Sequence, residues 1–407
     1  MPTALEGVRI ADFSHVIAGP YCTMILADMG ARVIKIEPPQ GDAARGYASP
    51  ELGGDSTVFL SYNRNKQSVV LDLAGEEGRR VARDIVARAD ILVENFSSGV
   101  MQRLGLDYAA MQELNPRLIY CSISAYGRGG SYASRAGYDQ IAQAESGFMS
   151  LNGYPGEEPL RTPLAMIDLT TGMFAAHAIL AALYARERSG RGQYLEAALF
   201  DNAFALTAFF TMNYLVTGDN PLPPGNSSPV AGPIGVFHAS DGRFFMTVAG
   251  QGVWRKLLTV LGNPPELLIA DFADNAARVR HQVRLTEILQ RLFGEAKLEY
   301  WIEKMREHGV PAGPIRSIAA AVNSPEVKER AILGVAPHSK AGTVPNLRLP
   351  IVLADTPIRA PQGAPVLGEH TRAVLSELLH YDAERIAQLE RQGVIPPAFA
   401  PSEKLAR

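Results

Sequence analysis

The stretch VRIADFSHVIAGPYCTMILADMGARVIKIE, which runs from Val8 to Glu37, decides the fold class of this 407-residue chain. It opens with VRIADF (Val8 to Phe13) and closes with RVIKIE (Arg32 to Glu37), two apolar runs that are typical of buried strands. Between them, PYCTMILADM (Pro20 to Met29) predicts a helix that ends at Gly30. A strand, a helix and a second strand in this order predict parallel strands joined by a crossover helix.

The alternation of strand and helix patterns continues through the first third of the chain. The later segments are SVVLDL (Ser68 to Leu73), EEGRRVARDIVARA (Glu76 to Ala89), DILVENF (Asp90 to Phe96) and RLIYCSISAYG (Arg117 to Gly127). Near-continuous Val, Ile and Leu in such strands favours a parallel sheet covered on both faces. We therefore predict an α/β fold with a large Rossmann-like domain.

The middle of the chain has a different composition. GDNPLPPGNSSPVAGP (Gly218 to Pro233) is rich in Pro, Gly and Asn, which is typical of a connector between domains. GVFHASDGRFFMTVAG (Gly235 to Gly250) predicts a hairpin that turns at Asp241-Gly242. We predict a discontinuous large domain, 1–217 with 332–407, and a smaller α+β domain, 218–331. The final residues, PPAFAPSEKLAR, predict a loosely ordered tail.

Bulk properties exclude several classes of function. The net charge of −3 gives no electrostatic case for binding nucleic acid or an anionic membrane. Cys22 and Cys121 are too few for a disulfide framework or a cysteine-rich metal site, and we expect no metal. No stretch offers about 20 uninterrupted apolar residues, and MPTALEGVRIADF lacks the pattern of a signal peptide. We therefore expect a cytoplasmic protein without a membrane span.

A dinucleotide site is the first function that the α/β pattern suggests, because Glu37 closes the second strand. The turn after the first strand is SHVIAGP, however, and lacks the GxGxxG pattern that lets the backbone approach a pyrophosphate. The sequence therefore disfavours a nicotinamide enzyme.

Asp168 is the one charge in a long apolar stretch, TPLAMIDLTTGMFAAHAILAALYARERSGRGQ (Thr162 to Gln193), until its cationic end. Apolar residues follow it at alternating steps of four and three, which predicts a buried helical stripe of Leu169, Met173, Ala176, Leu180 and Leu183. Asp168 is then expected at or just before the helix N-terminus. Two interpretations stay open: a helix N-cap, or an ionised and partly desolvated carboxylate that acts as a nucleophile.

Seven segments along the chain share a pattern with a known family. They are DFSHVIAGPYCTMILADMGARVIKIEPPQGD (Asp12 to Asp42), NRNKQSVVLDL (Asn63 to Leu73), ADILVENFSSGVMQRLGLDY (Ala89 to Tyr108), NPRLIYCSISAYG (Asn115 to Gly127), AGYDQIAQAESGFMS (Ala136 to Ser150), the Asp168 segment and PVLGEHT (Pro365 to Thr371). Together they resemble the family III CoA-transferases, which include formyl-CoA transferases and α-methylacyl-CoA racemases. The resemblance runs from about Leu5 to about Tyr381.

The resemblance implies that Asp168 is the catalytic residue. A carboxylate can attack a thioester carbonyl to form an acyl anhydride, and the released CoA thiolate then converts it to an aspartyl-CoA thioester. The oxyanion formed in these steps requires fixed hydrogen-bond donors. The candidates are backbone N–H groups of AGQGV, namely Gly250, Gln251 and Gly252, where formyl-CoA transferases carry a mobile glycine loop.

Within the family, the choice lies between a transferase and a racemase. Racemases use the histidine of a GHD motif to move an α-proton, and here the triplet is Gly137-Tyr138-Asp139. A tyrosine with an ordinary pKa of about 10 is a poor base near neutral pH. We therefore favour a transferase, with Tyr138 lining the acyl pocket or packing as an aromatic. A racemase and a non-catalytic CoA-binding protein remain the alternatives.

The resemblance also implies a set of residues that contact CoA, which would be a substrate and not a tightly bound cofactor. They are His15, Ile17, Ala18, Leu71, Asp72, Leu73, Ala74, Asn95, Phe96, Ser97, Arg103, Ala136, Gly137, Tyr138 and Asp139. Two family cations are replaced, by Pro38 and by Ala136, for which Arg45 or Arg135 are candidate substitutes. Ile17 replaces a glutamine of formyl-CoA transferases, which argues against formate and oxalate as substrates.

Arg161 and His238 are candidates to bind the second carboxylate of a C4–C5 dicarboxylate. Succinate, mesaconate, malate or itaconate is the expected class, because many family members use succinyl-CoA. The resemblance further implies a ring-shaped monomer in an interlocked homodimer.

Overall fold

A computed structural model describes residues 2–397, so most of the predicted C-terminal tail lies outside the described residues. The chain divides into two compact units. The first comprises Met1–Phe148, Arg161–Thr211 and Lys328–Arg407, and the second comprises Met149–Leu160 and Met212–Val327.

The first unit is built on a six-stranded parallel sheet. Its strands are β1 (Arg9–Asp12), β2 (Arg32–Glu37), β3 (Lys66–Val70), β4 (Ile91–Glu94), β5 (Ile119–Ser124) and β6 (Tyr194–Ala198). Their spatial order is β3-β2-β1-β4-β5-β6, which is the order of dinucleotide-binding Rossmann folds. Successive strands are added to one side of β1 up to β3 and to its other side from β4 onward, so the strand order reverses between β1 and β4. A ligand crevice is expected at this switch point, beyond the carboxyl ends of the two strands. The prediction of a parallel α/β sheet is confirmed.

Alternate residues of the strands face two separate cores. Ala11 and Ile34 face the core under the helices Glu76–Val86, Thr371–Leu379 and Ala383–Arg391, whereas Ile10 and Val33 face the core under Ala18–Asp28 and Met166–Ser189. The other helices that begin in this unit are Thr57–Tyr62, Val100–Leu104, Tyr108–Leu114, Asp139–Glu145, Leu199–Leu206 and Ala208–Thr217, with a 3-10 turn at Ala43–Gly46. Two short antiparallel pairs complete it: Glu51–Leu52 with Asp55–Ser56, and Leu333–His338 with Gly342–Leu347.

The helix Met166–Ser189 is long and apolar enough, by length and composition alone, to cross a membrane. One of its faces nevertheless belongs to the core of the first unit, and its buried residues are Ile167, Thr171, Gly172, Ala175, Ala176, Ile179, Ala182 and Arg186. The predicted stripe is therefore wrong in register, since Met173 is exposed and Leu180 is only half-buried. Half of the buried residues are Gly or Ala, which lets the helix Ala18–Asp28 pack closely against this face.

Gly172 marks that close approach and provides a test of it. A Cβ at this position would lie 2.5 Å from the carbonyl oxygen of Ala18. Ala in place of Gly ordinarily stabilises a helix by up to about 1 kcal/mol. Here we expect Gly172→Ala to lower the free energy of unfolding by about 1–3 kcal/mol, because the helices must move apart.

Urea unfolding measures this effect, with Ala181→Ser on the exposed face of the same helix as the matched control. The control is expected to change stability by less than about 0.5 kcal/mol. A Gly172→Ala protein as stable as the parent would contradict the close packing of these two helices.

The second unit contains a three-stranded antiparallel sheet of β7 (Ile234–His238), β8 (Arg243–Thr247) and β9 (Ala312–Pro314), in the order β9-β8-β7. The predicted hairpin is present as β7 and β8, with Phe237 paired to Phe244. The helices that begin in this unit are Gln251–Val260, Asn275–Arg280, Gln282–Phe293, Leu298–His308, Ile318–Val322 and Pro325–Glu329, with 3-10 turns at Met149–Leu151, Pro265–Leu267 and Ala270–Phe272. Edge-to-face aromatic rings centred on Phe293 hold its core together.

Candidate active site

The loop after β1 lies at the switch point of the sheet and is held from the neighbouring strand. His15 N donates to Asn95 Oδ1 at 2.8 Å, and Asn95 Nδ2 donates back to the His15 carbonyl oxygen at 2.9 Å. The His15 and Phe96 rings lie 5.3 Å apart. Three of the predicted CoA-contacting residues, on two loops that are 80 residues apart in sequence, are thus fixed against one another.

Two buried ion pairs stabilise the loop after β1. Lys66 Nζ lies 3.1 Å from Asp12 Oδ2, and Lys35 Nζ lies 2.8 Å from Asp42 Oδ2, with all four side chains shielded from solvent. Asp42 accepts the Val16 N–H at 3.1 Å, and Val16 has a φ of 71°. A β-branched residue rarely adopts this left-handed conformation, so the surrounding contacts must hold it there.

The loops after β1, β2, β3 and β4 line a cavity of about 450 Å³. Its lining includes five of the residues predicted to contact CoA: His15, Asp72, Leu73, Ala74 and Phe96. Pro38, which replaces a family cation, also lines this cavity.

The remaining predicted CoA residues have other positions. Leu71 and Ala18 are buried, Ile17 precedes the helix Ala18–Asp28, and Ser97 lines a separate cavity. Arg103 is exposed on the short helix Val100–Leu104, two of whose other residues line the 450 Å³ cavity.

Asp168 lies in the first turn of the helix Met166–Ser189 and does not cap it. The cap comes from Asp139, whose Oδ2 accepts the Ile167 N–H at 2.7 Å and the Asp168 N–H at 3.0 Å. Gln143 donates to the other Asp139 oxygen. The N-cap interpretation of Asp168 is therefore wrong, because the Asp139 carboxylate, and not that of Asp168, accepts the N–H groups at the helix start.

Burial, followed by the negative charge of Asp139, raises the pKa of the Asp168 carboxyl to about 7. The carboxyl is therefore partly protonated at neutral pH, and only part of the population carries the ionised, partly desolvated carboxylate. The N–H groups at the helix start favour the anion but do not outweigh desolvation, because Asp139 already occupies two of them.

Two tyrosines that the sequence pattern did not identify, Tyr47 and Tyr62, lie close enough to Asp168 to interact with its charge. Burial raises the pKa of Tyr47, and the charges of Asp42, Tyr138 and Asp168 add to this effect in that order. Burial, Tyr21 and Asp168 likewise raise the pKa of Tyr62, whose ring contacts that of Tyr21 at 5.8 Å. Tyr138 precedes the helix Asp139–Glu145 and is 68% exposed. No spacing rule links Tyr47 and Tyr62 to Asp168, since only the fold brings them together.

Arg45 is not available to bind a nucleotide. Its guanidinium donates twice to Glu37 at 2.8 Å and once to Asp55 at 2.9 Å, and it lies 3.7 Å from the centre of the Phe59 ring. Its proposed role as a substitute cation is wrong, because its charge is already neutralised in the protein interior. Arg135 is exposed and pairs with Glu145. Ala136 is exposed beside it, whereas Gly137 is half-buried against Ala125 and Tyr126.

The predicted oxyanion segment lies in the second unit. Gly250 precedes the helix Gln251–Val260, so Gln251 and Gly252 form its first turn and not a free loop. Gln251 is anchored on both sides, because Arg278 Nη1 donates to its Oε1 at 2.9 Å and its Nε2 donates to the Ala273 carbonyl at 2.7 Å. These two hydrogen bonds hold the Gln251 side chain and thereby order the segment Gly250 to Gly252.

The two candidate acceptor residues are both exposed. Arg161 belongs to the first unit and donates to the Thr162 carbonyl at 3.2 Å. His238 ends β7 in the second unit, where its backbone pairs with the Gln290 side chain. Within residues 2–397, no cluster of three His, Cys, Asp or Glu side chains is arranged to hold a metal ion.

Comparison with known proteins agrees with this geometry. The model of the family described as CoA-transferase family III matches residues 5–371. A succinate–glutarate CoA-transferase of Agrobacterium fabrum is 40% identical over 92% of this chain and 95% of its own length. A succinyl-CoA:glutarate CoA-transferase of Mus musculus is 35% identical over 96% and 90%.

A crystal structure of a CAIB/BAIF family protein from Brucella suis superposes with a TM-score of 0.83 at 36% identity, covering 93% of this chain and all of that one. The family predicted from the motifs is thereby confirmed. The chain belongs to CoA-transferase family III and is a CoA-transferase.

Proposed function

We propose that this enzyme transfers CoA from succinyl-CoA to a C4–C5 dicarboxylate, with glutarate as the first acceptor to test, and that Asp168 is its nucleophile. The observation that carries the proposal is a partly desolvated carboxylate whose N–H cap is supplied by another residue, Asp139. A desolvated carboxylate is more nucleophilic than a hydrated one, provided that it is deprotonated. The names of the relatives from Agrobacterium fabrum and Mus musculus support the donor and the acceptor.

In the first step, an Asp168 oxygen attacks the thioester carbonyl of succinyl-CoA, and the C–S bond breaks to release CoA thiolate. The thiolate then attacks the aspartyl carbonyl of the mixed anhydride, which leaves aspartyl-CoA and free succinate. The incoming dicarboxylate attacks the aspartyl carbonyl of this thioester, and the C–S bond breaks to release CoA thiolate and leave a second mixed anhydride. The thiolate then attacks the acceptor's carbonyl in that anhydride, which forms the new acyl-CoA and releases the Asp168 carboxylate. No proton is lost or gained over the cycle.

Each step places negative charge on a carbonyl oxygen. We propose the backbone N–H groups of Gly250, Gln251 and Gly252 as donors to it, and Arg161 and His238 as partners of the second carboxylate of the acceptor. Tyr138 would line the acyl pocket, and the predicted CoA residues around the 450 Å³ cavity would hold the nucleotide end.

The decisive assay supplies succinyl-CoA with glutarate and follows glutaryl-CoA by mass spectrometry. Butyrate, which lacks the second carboxylate, is the matched acceptor control. Efficient turnover with glutarate and at least tenfold lower kcat/KM with butyrate is expected. Equal turnover of the two acids would overturn the dicarboxylate specificity, and no turnover with any carboxylic acid would overturn the transferase.

The racemase alternative makes a different prediction. In deuterium oxide without an acceptor, a racemase would introduce deuterium at the α-carbon of a branched acyl-CoA. We expect no such exchange, because Tyr138 stands where a racemase has histidine.

The rate should depend on pH through Asp168. The nucleophile must be deprotonated, so kcat/KM is expected to rise about tenfold per pH unit below pH 7 and to level off above it. A pH profile at saturating dicarboxylate measures the midpoint. A rate independent of pH between 5.5 and 8.5 would contradict the raised pKa.

The substitution Asp139→Asn separates the two causes of the raised Asp168 pKa, which are burial and the negative charge of Asp139. The amide oxygen still accepts the N–H groups of Ile167 and Asp168, whereas the negative charge is lost. The midpoint of the pH profile is therefore expected to move to lower pH, with the helix intact by circular dichroism. An unchanged midpoint would show that burial alone sets the pKa.

We also propose a homodimer that acts in the cytoplasm. The helix Ala208–Thr217 has no buried residue, yet it contains Phe209, Met212, Leu215 and Val216. Exposed apolar surface of this extent is typical of a protein interface. Light scattering after size-exclusion chromatography should give twice the 43.9 kDa chain mass.

A further inference from the structure

A second cavity, of about 670 Å³, lies at the edge of the main sheet opposite the candidate active site. Arg32 and Lys66, the first residues of β2 and β3, are part of its wall, together with His338, Arg359 and His370. All amino ends of a parallel sheet lie at one edge, whereas the predicted CoA residues follow the carboxyl ends. The cavity is thus separate from the site described above, and its volume is in the range of small-molecule sites.

Buried polar atoms without hydrogen-bond partners gather on this wall. Six such side-chain atoms occur among the described residues, and three of them belong to His338, Ser339 and His370. His338 is only 6% exposed. A buried polar group without a partner is destabilising, so an occupant that satisfies all three would be stabilised.

The contacts of His338 define which hydrogen bond it offers. Its Nδ1 accepts the N–H groups of Lys340 and Ala341, at 3.2 and 3.1 Å. Burial lowers its pKa, which favours the neutral ring at pH 7. The single proton therefore sits on Nε2, the unpartnered atom, and His338 is a donor to whatever fills the cavity.

The charges on the wall favour an anion. Arg359 donates to the carbonyl oxygens of Gly30 and Ala31, at 2.7 and 3.3 Å, and forms no ion pair within residues 2–397. Arg32 adds a second guanidinium, which Glu377 pairs at 3.0 Å. Glu369 is the one acid on the wall, and it accepts the Val366 N–H.

We propose that this cavity binds a small anion with a phosphate or carboxylate group, held by the Arg359 guanidinium, the His338 Nε2–H and the Ser339 hydroxyl. Guanidinium groups and neutral donors together suit both kinds of oxyanion. The proposal adds a second ligand site to the transferase and does not depend on the identity of its acceptor.

The test titrates inorganic phosphate and citrate separately into the enzyme by isothermal calorimetry, with CoA saturating and ionic strength held constant with chloride. Saturable binding of at least one anion is expected. Phosphate alone would identify a phosphate ligand, citrate alone a carboxylate ligand, and both the shared oxyanion chemistry. Arg359→Gln should weaken binding at least tenfold and Ser339→Ala about threefold.

Two variants serve as controls. Arg316→Gln removes an exposed arginine of the second unit, and Asp168→Asn alters the candidate nucleophile; both should bind the anion as the parent does. If Arg359→Gln does not fold, His338→Gln and Ser339→Ala decide. The proposal is overturned if neither anion binds, if Arg316→Gln weakens binding as much as the cavity variants do, or if crystals grown with both anions show only water there.

Discussion

Asp168→Asn is expected to lower kcat by at least about 10⁴-fold while CoA still binds, because an amide cannot form the anhydride or the thioester. Loss of a nucleophile is among the largest effects that one substitution has on an enzyme. The assay is CoA exchange between succinyl-CoA and glutarate, with CoA affinity measured by calorimetry as the control for folding.

A chemical trap tests the same residue in the parent enzyme. Hydroxylamine added with succinyl-CoA should convert the thioester on Asp168 to a hydroxamate that peptide mass spectrometry locates. A hydroxamate on another residue, or full activity of the Asn variant, would remove Asp168 from the mechanism.

Asp168→Asn should also raise the free energy of unfolding of the protein. The folded pKa of Asp168, about 7, lies above the ordinary value of 3.8, so ionisation opposes folding once the pH exceeds 3.8. The full shift corresponds to about 4 kcal/mol, which partial exposure reduces to about 1–2 kcal/mol. Urea unfolding at pH 8 should therefore show a more stable variant, and the difference should vanish near pH 4.

Arg45→Met is expected to cause the largest loss of stability, about 3–5 kcal/mol, because it leaves Glu37 and Asp55 buried without their cation. Burial alone would raise the pKa of Glu37, but Arg45 holds it below its ordinary value. The loss should be full at pH 7 and should shrink at lower pH, where the orphaned carboxylates take up protons.

Arg316→Met is the matched control for Arg45→Met. Its partner Glu326 is exposed, and surface pairs of this kind contribute about 0–1 kcal/mol. Equal effects of the two substitutions would contradict a structural role for Arg45, and a selective loss of CoA affinity would restore its role as a nucleotide-binding cation.

Local patterns were sufficient to predict five of the six strands of the main sheet and the antiparallel hairpin, whereas β6 (Tyr194–Ala198), which is largely not buried, was not predicted. Apolar runs separated by a helical pattern predict buried parallel strands. The residues Asp241-Gly242 are typical of a tight turn, so they predict the hairpin directly. The assignment of Met149–Leu160 to the second unit has no such local signal, because it depends on contacts with residues far along the chain.

The contacts of the candidate site residues were harder to predict from local sequence patterns. Asp168 resembles an N-cap in sequence, but Asp139, 29 residues earlier, is the residue that reaches the helix start. Arg45 resembles a free cation until Glu37 and Asp55 are placed beside it. Helix or strand periodicity encodes neither pairing, whether the partner lies 29 residues away, as for Asp168, or 8 to 10 residues away, as for Arg45.

The mutual hydrogen bonds of His15 and Asn95 have a thermodynamic consequence for ligand capture. At the CoA site that we propose, a loop that is already ordered before the ligand arrives loses little conformational freedom on binding, so more of the contact energy remains as affinity. The nucleotide end of the substrate can then serve as an anchor, and its binding energy is available to position the thioester for the reaction.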